Sequence, residues 1–343
     1  MQLVDDRPAG MGATQASAGV LAPYIEARES GPLLDLTARS LDLFDDFVAG
    51  VTSASGLRVS YRRSGTLDVA TRNETMTEFS ALAEVLAARG VAAELVDARA
   101  VRVLEPHLSE EALGGLLIPS HGHVVPMELT QALVAAARRS GARLVEQGRV
   151  RRVVPCGVDL TVETDGGSLT ANAVVLAAGS WTGQIGVGGS TLRVPVRPVR
   201  GQLLRLSWDG APLDRVIWGE HCYLVPWDDG TLFVGSTVEE AGFDERPTVA
   251  GVRGLIDAAV ALVPRVRTAG FVAAKAGLRP CAPDALPIIG ASARLPGLMY
   301  ATGHFRNGVL LAPLTAQLVA DAILEDRIDP ALAATRPQRF GDL

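Results

Sequence analysis

Near the end of the 343-residue chain, Thr302-Gly303-His304-Phe305-Arg306-Asn307-Gly308-Val309-Leu310-Leu311-Ala312-Pro313 runs from a small-residue turn into an apolar helix. Small residues there let the backbone approach a planar ligand, as when a flavin-binding domain closes over its isoalloxazine. At the other end, Gln2-Leu3-Val4-Asp5-Asp6 reads as the second strand of a βαβ unit, finishing in the acidic residue that holds ribose hydroxyls. The stretch from Pro8 to Gly19 is rich in Gly, Ala and hydroxyls, so that backbone amides can approach a phosphate-bearing cofactor. On composition alone an ordinary flexible loop remains the alternative. A first strand, a G-x-G-x-x-G turn and a first helix, roughly 30 residues by the size of such a unit, are expected before Gln2, and this sequence does not contain them.

Hydrophobic residues make up 48% and charged residues 20% of the chain, the balance of a globular protein, and its length suggests two closely packed domains. A net charge of −6 and the lack of a basic run argue against nucleic acid as a partner. Arg138-Arg139 and Arg149, Arg151 and Arg152 are short groups between apolar segments and read as a solvated face. No window approaches the roughly 18 apolar residues of a membrane span, and no secretory pattern opens the chain. Cys156, Cys222 and Cys281 lack C-x-x-C spacing, which leaves neither a disulfide framework nor a thiolate metal site and fits a reducing cytoplasm. His121 and His123 would share one face of a strand, but without a carboxylate cluster they make no metal site.

Apolar spacing predicts a helix from Leu33 to Val48, a hairpin or strand over Tyr61–Ala70, and further helices near Met76–Ala88, Leu129–Arg139 and Leu314–Leu324. Strands are predicted at Arg143–Glu146, and at Leu160–Thr164 and Ser168–Ala171 about an Asp165-Gly166-Gly167 turn. The apolar run from Ala173 reads as a central parallel strand buried on both faces, its C-terminal end at a ligand crevice. From Val194 to Gly277 alternating patterns predict a mixed or antiparallel sheet. The fold class is therefore α/β, with a Rossmann-like cofactor-binding parallel sheet, its first strand missing, and an inserted mixed-sheet substrate domain. Residues 1–60, 110–190 and 286–343 form the first domain, and 61–109 and 191–285 the second.

The chain resembles the D-amino acid oxidase group of FAD flavoproteins, most closely the glycine oxidases of thiamine biosynthesis. The resemblance is carried by Asp5, Thr14 to Leu21, His123-Val124-Val125-Pro126, Ala178 to Gly183, Pro198-Val199-Arg200-Gly201-Gln202, His221 to Pro226, Ala276 to Pro280, and Gly303 to Pro313, in that order along the whole length. It implies that Asp5 accepts the adenosine ribose hydroxyls and that Thr14, Ala16, Ser17, Ala18 and Gly19 run along the pyrophosphate and flavin. Val124 matches a residue that fixes adenine through its backbone, and Gly179 and Ser180 line the same channel. Gly303, His304, Asn307, Gly308, Val309 and Leu310 would bring amides to the flavin edge where negative charge develops on reduction.

For substrate, the resemblance implies Arg279 as the clamp on an amino-acid carboxylate, Tyr223 as a second donor, and Arg306 and His221 at the pocket. No side chain serves as catalytic base, since the Cα hydrogen leaves as hydride to the flavin and positioning is the protein's main contribution. The implied activity is oxidative deamination of glycine, sarcosine or short D-amino acids with O₂ reduced to H₂O₂, feeding thiazole synthesis. Two alternatives stand beside it: a D-amino acid or sarcosine dehydrogenase with another acceptor, and a truncated flavin-free protein without activity. Residues 238–245 are expected to act as a lid over the pocket, and a homo-oligomer is left open.

Overall fold

The computed structural model describes residues 1–26, 31–146, 148–189 and 193–343. Its largest sheet has eight strands, in the spatial order Gly270–Cys281, Arg197–Ser207, Thr231–Gly235, Tyr223–Pro226, Val216–Trp218, Thr66–Ala70, Gly114–Ile118 and Glu94–Asp97. All neighbours are antiparallel except Val216–Trp218 against Thr66–Ala70. Side chains alternate across these strands. Leu204, Leu206, Leu224 and Val234 face a core shared with Leu255, Ala259 and Leu262 of the helix Val249–Leu262. Leu203 and Val225 face the opposite way, onto Ala18, Val216 and Trp227.

The remaining segments form smaller sheets. Gln2–Asp5 runs parallel to Arg143–Glu146, and Val174–Leu176 runs parallel to Leu298–Thr302, which pairs antiparallel with Ile288–Ala291. Val20–Leu21, Gly122–Val124 and Tyr61–Arg62 make a three-stranded sheet beside the helices Phe44–Ser55 and Pro126–Arg139, with Phe44, Val48, Val124 and Leu129 in their common core. No helix among the described residues is long and apolar enough to cross a membrane, and no group of three or more metal-ligating side chains occurs among them.

Several elements differ from their sequence expectation. The helix predicted over Leu33–Val48 is two, Pro32–Asp42 and Phe44–Ser55, because the chain turns at Leu43 and its N–H bonds back to Ser40 O. Tyr61–Ala70 is not a hairpin: Tyr61–Arg62 and Thr66–Ala70 belong to different sheets, separated by a corner at Gly65 with φ +80°. A Cβ at Gly65 would also press on Ile118 O at 3.1 Å, so the corner admits little else. Gly114–Ile118, expected among the FAD-binding segments, is hydrogen-bonded within the eight-stranded sheet. The strand from Ala173 is short and pairs on one edge among the described residues, which leaves Val175 exposed rather than doubly buried.

His121, just before the strand Gly122–Val124, and His123 within it are buried packing residues. His121 Nδ1 lies 2.7 Å from Thr66 Oγ1 and its ring stacks on Tyr24, while His123 meets Trp227 edge-on at 4.5 Å between centroids. Burial pushes their pKa values down to about 3 and about 4. An unfolded histidine titrates near 6.5, so below that pH the unfolded chain takes up protons that the fold refuses, and stability is lost on acidification. Glu105 opposes them: burial pushes its carboxyl up to about 7, and it favours the fold while protonated, a contribution lost as pH rises through 7. With His304, whose pKa burial also pushes down to about 4, three histidines outweigh one carboxyl near pH 5, so Tm should be lower at pH 5 than at pH 7. Glu105→Gln, which removes the opposing group, should widen that gap, and a Tm at pH 5 equal to that at pH 7 would contradict the assignment.

Candidate active site

The strand Gly270–Cys281 pairs along its length with Arg197–Ser207, from Arg197↔Cys281 to Ser207↔Gly270. Near its C-terminal end Arg279 sits opposite Val199 and sends its guanidinium across the backbone of Gly201. A Cβ at Gly201 would overlap the guanidinium carbon and both terminal nitrogens. Beyond Gly201 the next strand, Thr231–Gly235, is interrupted after Gly235. There Arg279 finds its partners, donating from one terminal nitrogen to Thr237 O at 3.0 Å and from the other to Ser236 Oγ at 2.8 Å. A guanidinium carries five N–H donors in one plane, and these two bonds fix the plane.

Tyr223 uses the same device. Its register partner Gly235 pairs in turn with Leu203, two residues from Gly201 on the same face of the sheet. A Cβ at Gly235 would stand 2.5–2.7 Å from the Tyr223 ring and hydroxyl, so the aromatic lies flat over bare backbone. Trp218 packs beside it at 4.9 Å between centroids. Arg279 and Tyr223 thus occupy neighbouring patches of one floor cleared by two glycines. Neither glycine has a positive φ, so space rather than backbone conformation requires them.

The predicted cofactor segments converge on the same strand end. The short turn Ala13–Ala16 packs against Gly277, where a Cβ would meet Ala16 Cβ and Ala13 Cα and O at 3.0–3.2 Å. Ser17 Oγ accepts from Gly19 N, and Gly19, at φ +71°, lies so close to Val124 O that only glycine fits. Ser180 Oγ donates to Leu278 O at 3.0 Å, and Gly179 O accepts from both Thr182 Oγ1 and Thr302 Oγ1. His304 forms an isolated bridge with Cys281, and its Nε2 lies 3.0 Å from Thr315 Oγ1. Burial pushes the His304 pKa down to about 4, so the ring is neutral at pH 7. Asn307 is buried in the next turn, and Leu310 O accepts from the buried Ser40 Oγ at 2.6 Å.

The remaining predicted residues differ in exposure. His221 is 76% exposed, with Glu220 as its nearest charged neighbour, and is not drawn onto the floor. Arg306 is exposed in the turn Phe305–Asn307. Val124 is fully buried in its three-stranded sheet, its N–H donating to Gly19 O, whereas Asp5 pairs with Glu146 and its carbonyl accepts from Gly148 N. Residues 238–245, expected as a lid, are fastened at both ends: Glu239 pairs with Arg200 through backbone and side chain, and Glu245 with Arg7 at 2.9 Å. Arg7 stacks on Trp181, which packs against Phe243.

The small residues of these segments suit an extended dinucleotide: a Cβ at Gly12 or Gly179 would meet nothing within 4 Å, while Gly19 permits a contact no larger residue allows and Gly277 lets the turn Ala13–Ala16 pack closely. Comparison with known proteins agrees. Residues 2–322 match the family described as FAD dependent oxidoreductase. The chain belongs to this family. As an FAD-dependent oxidoreductase it is 32% identical over 316 residues to a glycine oxidase of Geobacillus kaustophilus, covering 92% of this chain and 84% of that protein. The crystal structure of a glycine oxidase from that organism superposes with a TM-score of 0.92 at 31% identity, over 98% of this chain and 91% of the other. A bifunctional ThiO/ThiG protein of Synechocystis sp. is 34% identical over 337 residues, which span 96% of this chain but 48% of the larger protein. The chain therefore spans about half the length of such bifunctional relatives.

The residues that sequence reading missed on this oxidoreductase are Gly201, Gly235, Ser236 and Thr237. Gly201 lay within a quoted motif, but only the cross-strand register reveals what crosses it. Gly201→Ala should displace the guanidinium and weaken binding of small carboxylates by at least about tenfold, the worth of one charge-assisted hydrogen bond, while FAD affinity stays within about twofold. Titrating the FAD-loaded variant with acetate checks this, and unchanged acetate affinity would refute the geometry.

Proposed function

We propose that this flavoprotein oxidises glycine and other small amines, including sarcosine and short D-amino acids, with O₂ as acceptor and H₂O₂ as product. We further propose that it acts in the cytoplasm and feeds thiamine thiazole synthesis, a reading supported by its likeness to glycine oxidases and to bifunctional ThiO/ThiG proteins. The observation that carries the reading is Arg279, held flat over Gly201 beside Tyr223 at the strand end where the cofactor segments meet.

Arg279 binds the substrate carboxylate through parallel N–H···O bonds, which fix orientation as well as position, and Tyr223 donates its hydroxyl to the same group. With the carboxylate held against the floor, the α-carbon is presented toward the segments Thr14–Gly19, Gly179–Ser180 and Gly303–Leu310. Asp5 would hold the ribose hydroxyls, and the turn from Gly303 would face the ring. Bound there, the flavin supplies a two-electron acceptor for the hydrogen on the α-carbon. The side chains contribute orientation, which converts a bimolecular encounter into a positioned one. The neutral His304 adds no charge beside the ring.

Anaerobic mixing of the FAD-loaded protein with glycine should bleach the flavin absorbance, and air should restore it with stoichiometric H₂O₂. Arg279→Met should raise KM for glycine by about a hundredfold or more, the cost of a lost bidentate ionic contact. Arg279→Lys should rescue only part of that, because an ammonium cannot replace the fork. Bleaching by glycine with an unaltered KM in Arg279→Met would remove Arg279 from the role.

A further inference from the structure

Behind the floor, on the opposite face of the same strands, lies a polar cluster that none of the chemistry above uses. Arg200 and Gln202 flank Gly201 and point away from Arg279. Gln202 is fully buried and both ends of its amide are engaged: Nε2 donates to Glu239 Oε1 at 2.7 Å and Thr248 Oγ1 at 3.0 Å, and Oε1 accepts from Thr248 N at 2.8 Å. Arg200, its side chain 7% exposed, donates from Nε and a terminal nitrogen to Glu239 Oε2 at 3.2 and 2.5 Å and reaches Asp244 at 3.2 Å. Its other terminal nitrogen donates to Arg246 O. Thr237 Oγ1 donates to Glu239 Oε1 and accepts from Gln202 N at 2.9 Å. Thr248 caps the helix Val249–Leu262, and Gly251 in its first turn leaves room for the Gln202 amide.

The cluster thus grips the segment 237–248 immediately after the point where it meets Arg279. Thr237 is the shared residue: its carbonyl accepts from Arg279 in front, and its hydroxyl is held by Gln202 and Glu239 behind. We propose that Arg200, Gln202 and Glu239 are positioning residues for carboxylate binding, which set the place of Ser236 and Thr237 and through them the plane of the Arg279 guanidinium. None of the three touches substrate or cofactor. Their effect on the reaction is selective for the substrate's carboxylate, because the displaced group is the guanidinium and not the cofactor channel. Burial makes the arrangement stiff, since without Glu239 the Arg200 charge would rest in a dry site on Asp244 alone.

This inference rests on Arg279 as the carboxylate clamp, and the test separates the two. Glu239→Gln and Gln202→Met are purified in FAD-loaded form with the parent and with Arg279→Met. Acetate binding, KM and kcat for glycine, and kcat/KM for methylamine, which has no carboxylate, are measured on each. Either network variant should weaken acetate and raise KM for glycine about tenfold, the scale of one hydrogen bond. The kcat for glycine, FAD affinity and methylamine oxidation should stay within about threefold. Gln202→Met removes a buried amide and is the variant at risk of failing to fold, whereas Glu239→Gln keeps shape and stands alone as a test. Wild-type acetate affinity in folded Glu239→Gln, with acetate lost in Arg279→Met, overturns the positioning role only. Acetate retained in Arg279→Met overturns the clamp itself. Parallel losses in FAD affinity, methylamine oxidation and acetate binding would show a general structural role and overturn the proposal as well.

Discussion

The backbone ladder between Arg197–Ser207 and Gly270–Cys281 is the constraint on which the rest of this molecule hangs. It fixes Gly277 opposite Gly201 and Arg279 opposite Val199, and a slip of one residue would turn every side chain to the wrong face. The outer strand of the pair receives the turn Ala13–Ala16, the Ser180 hydroxyl and the bridge to His304, while the inner one carries Gly201. Segments far apart in the chain meet because they meet this ladder.

Alternation across the inner strand divides its work between two environments. Toward the cofactor segments it is bare at Gly201, which lies under Arg279 between the buried Val199 and Leu203. Toward the helix Val249–Leu262 it is dense with polar groups that are nearly all satisfied: Arg200 by two carboxylates and a carbonyl, Gln202 by three partners. Such groups are costly to bury singly and acceptable as a closed set. Gly201 and the buried polar pair Arg200 and Gln202, set among Val199, Leu203 and Leu204, are explained by those two duties together rather than by strand propensity.

Much of this was legible before any coordinates. The apolar periodicity placed the helices ending at Ala88, Arg139 and Leu324, and the Asp165-Gly166-Gly167 turn joined its two strands correctly. Arg279 is legible through the family resemblance, which matches it to the group that clamps an amino-acid carboxylate. What sequence did not reveal depends on pairing between distant segments. Gly65 is a corner and not a hairpin turn, because Ile118 and His121, more than fifty residues on, lie against it. Gly201 and Gly235 read locally as weak points in strands, and only the neighbours across the ladder show them to be clearances. His221 was carried by its place beside Tyr223, yet it lies in the turn before that strand and faces water.

The two clearances carry a consequence for the dimensions of the site. Arg279 and Tyr223 already lie on naked peptide, so no substitution beneath them can make room below. On the proposed function, room for a longer substrate side chain is therefore found above these two side chains and not underneath. Diversification of this scaffold toward bulkier amines is in that sense one-sided: the anchor keeps its depth while the opposite boundary is free to vary.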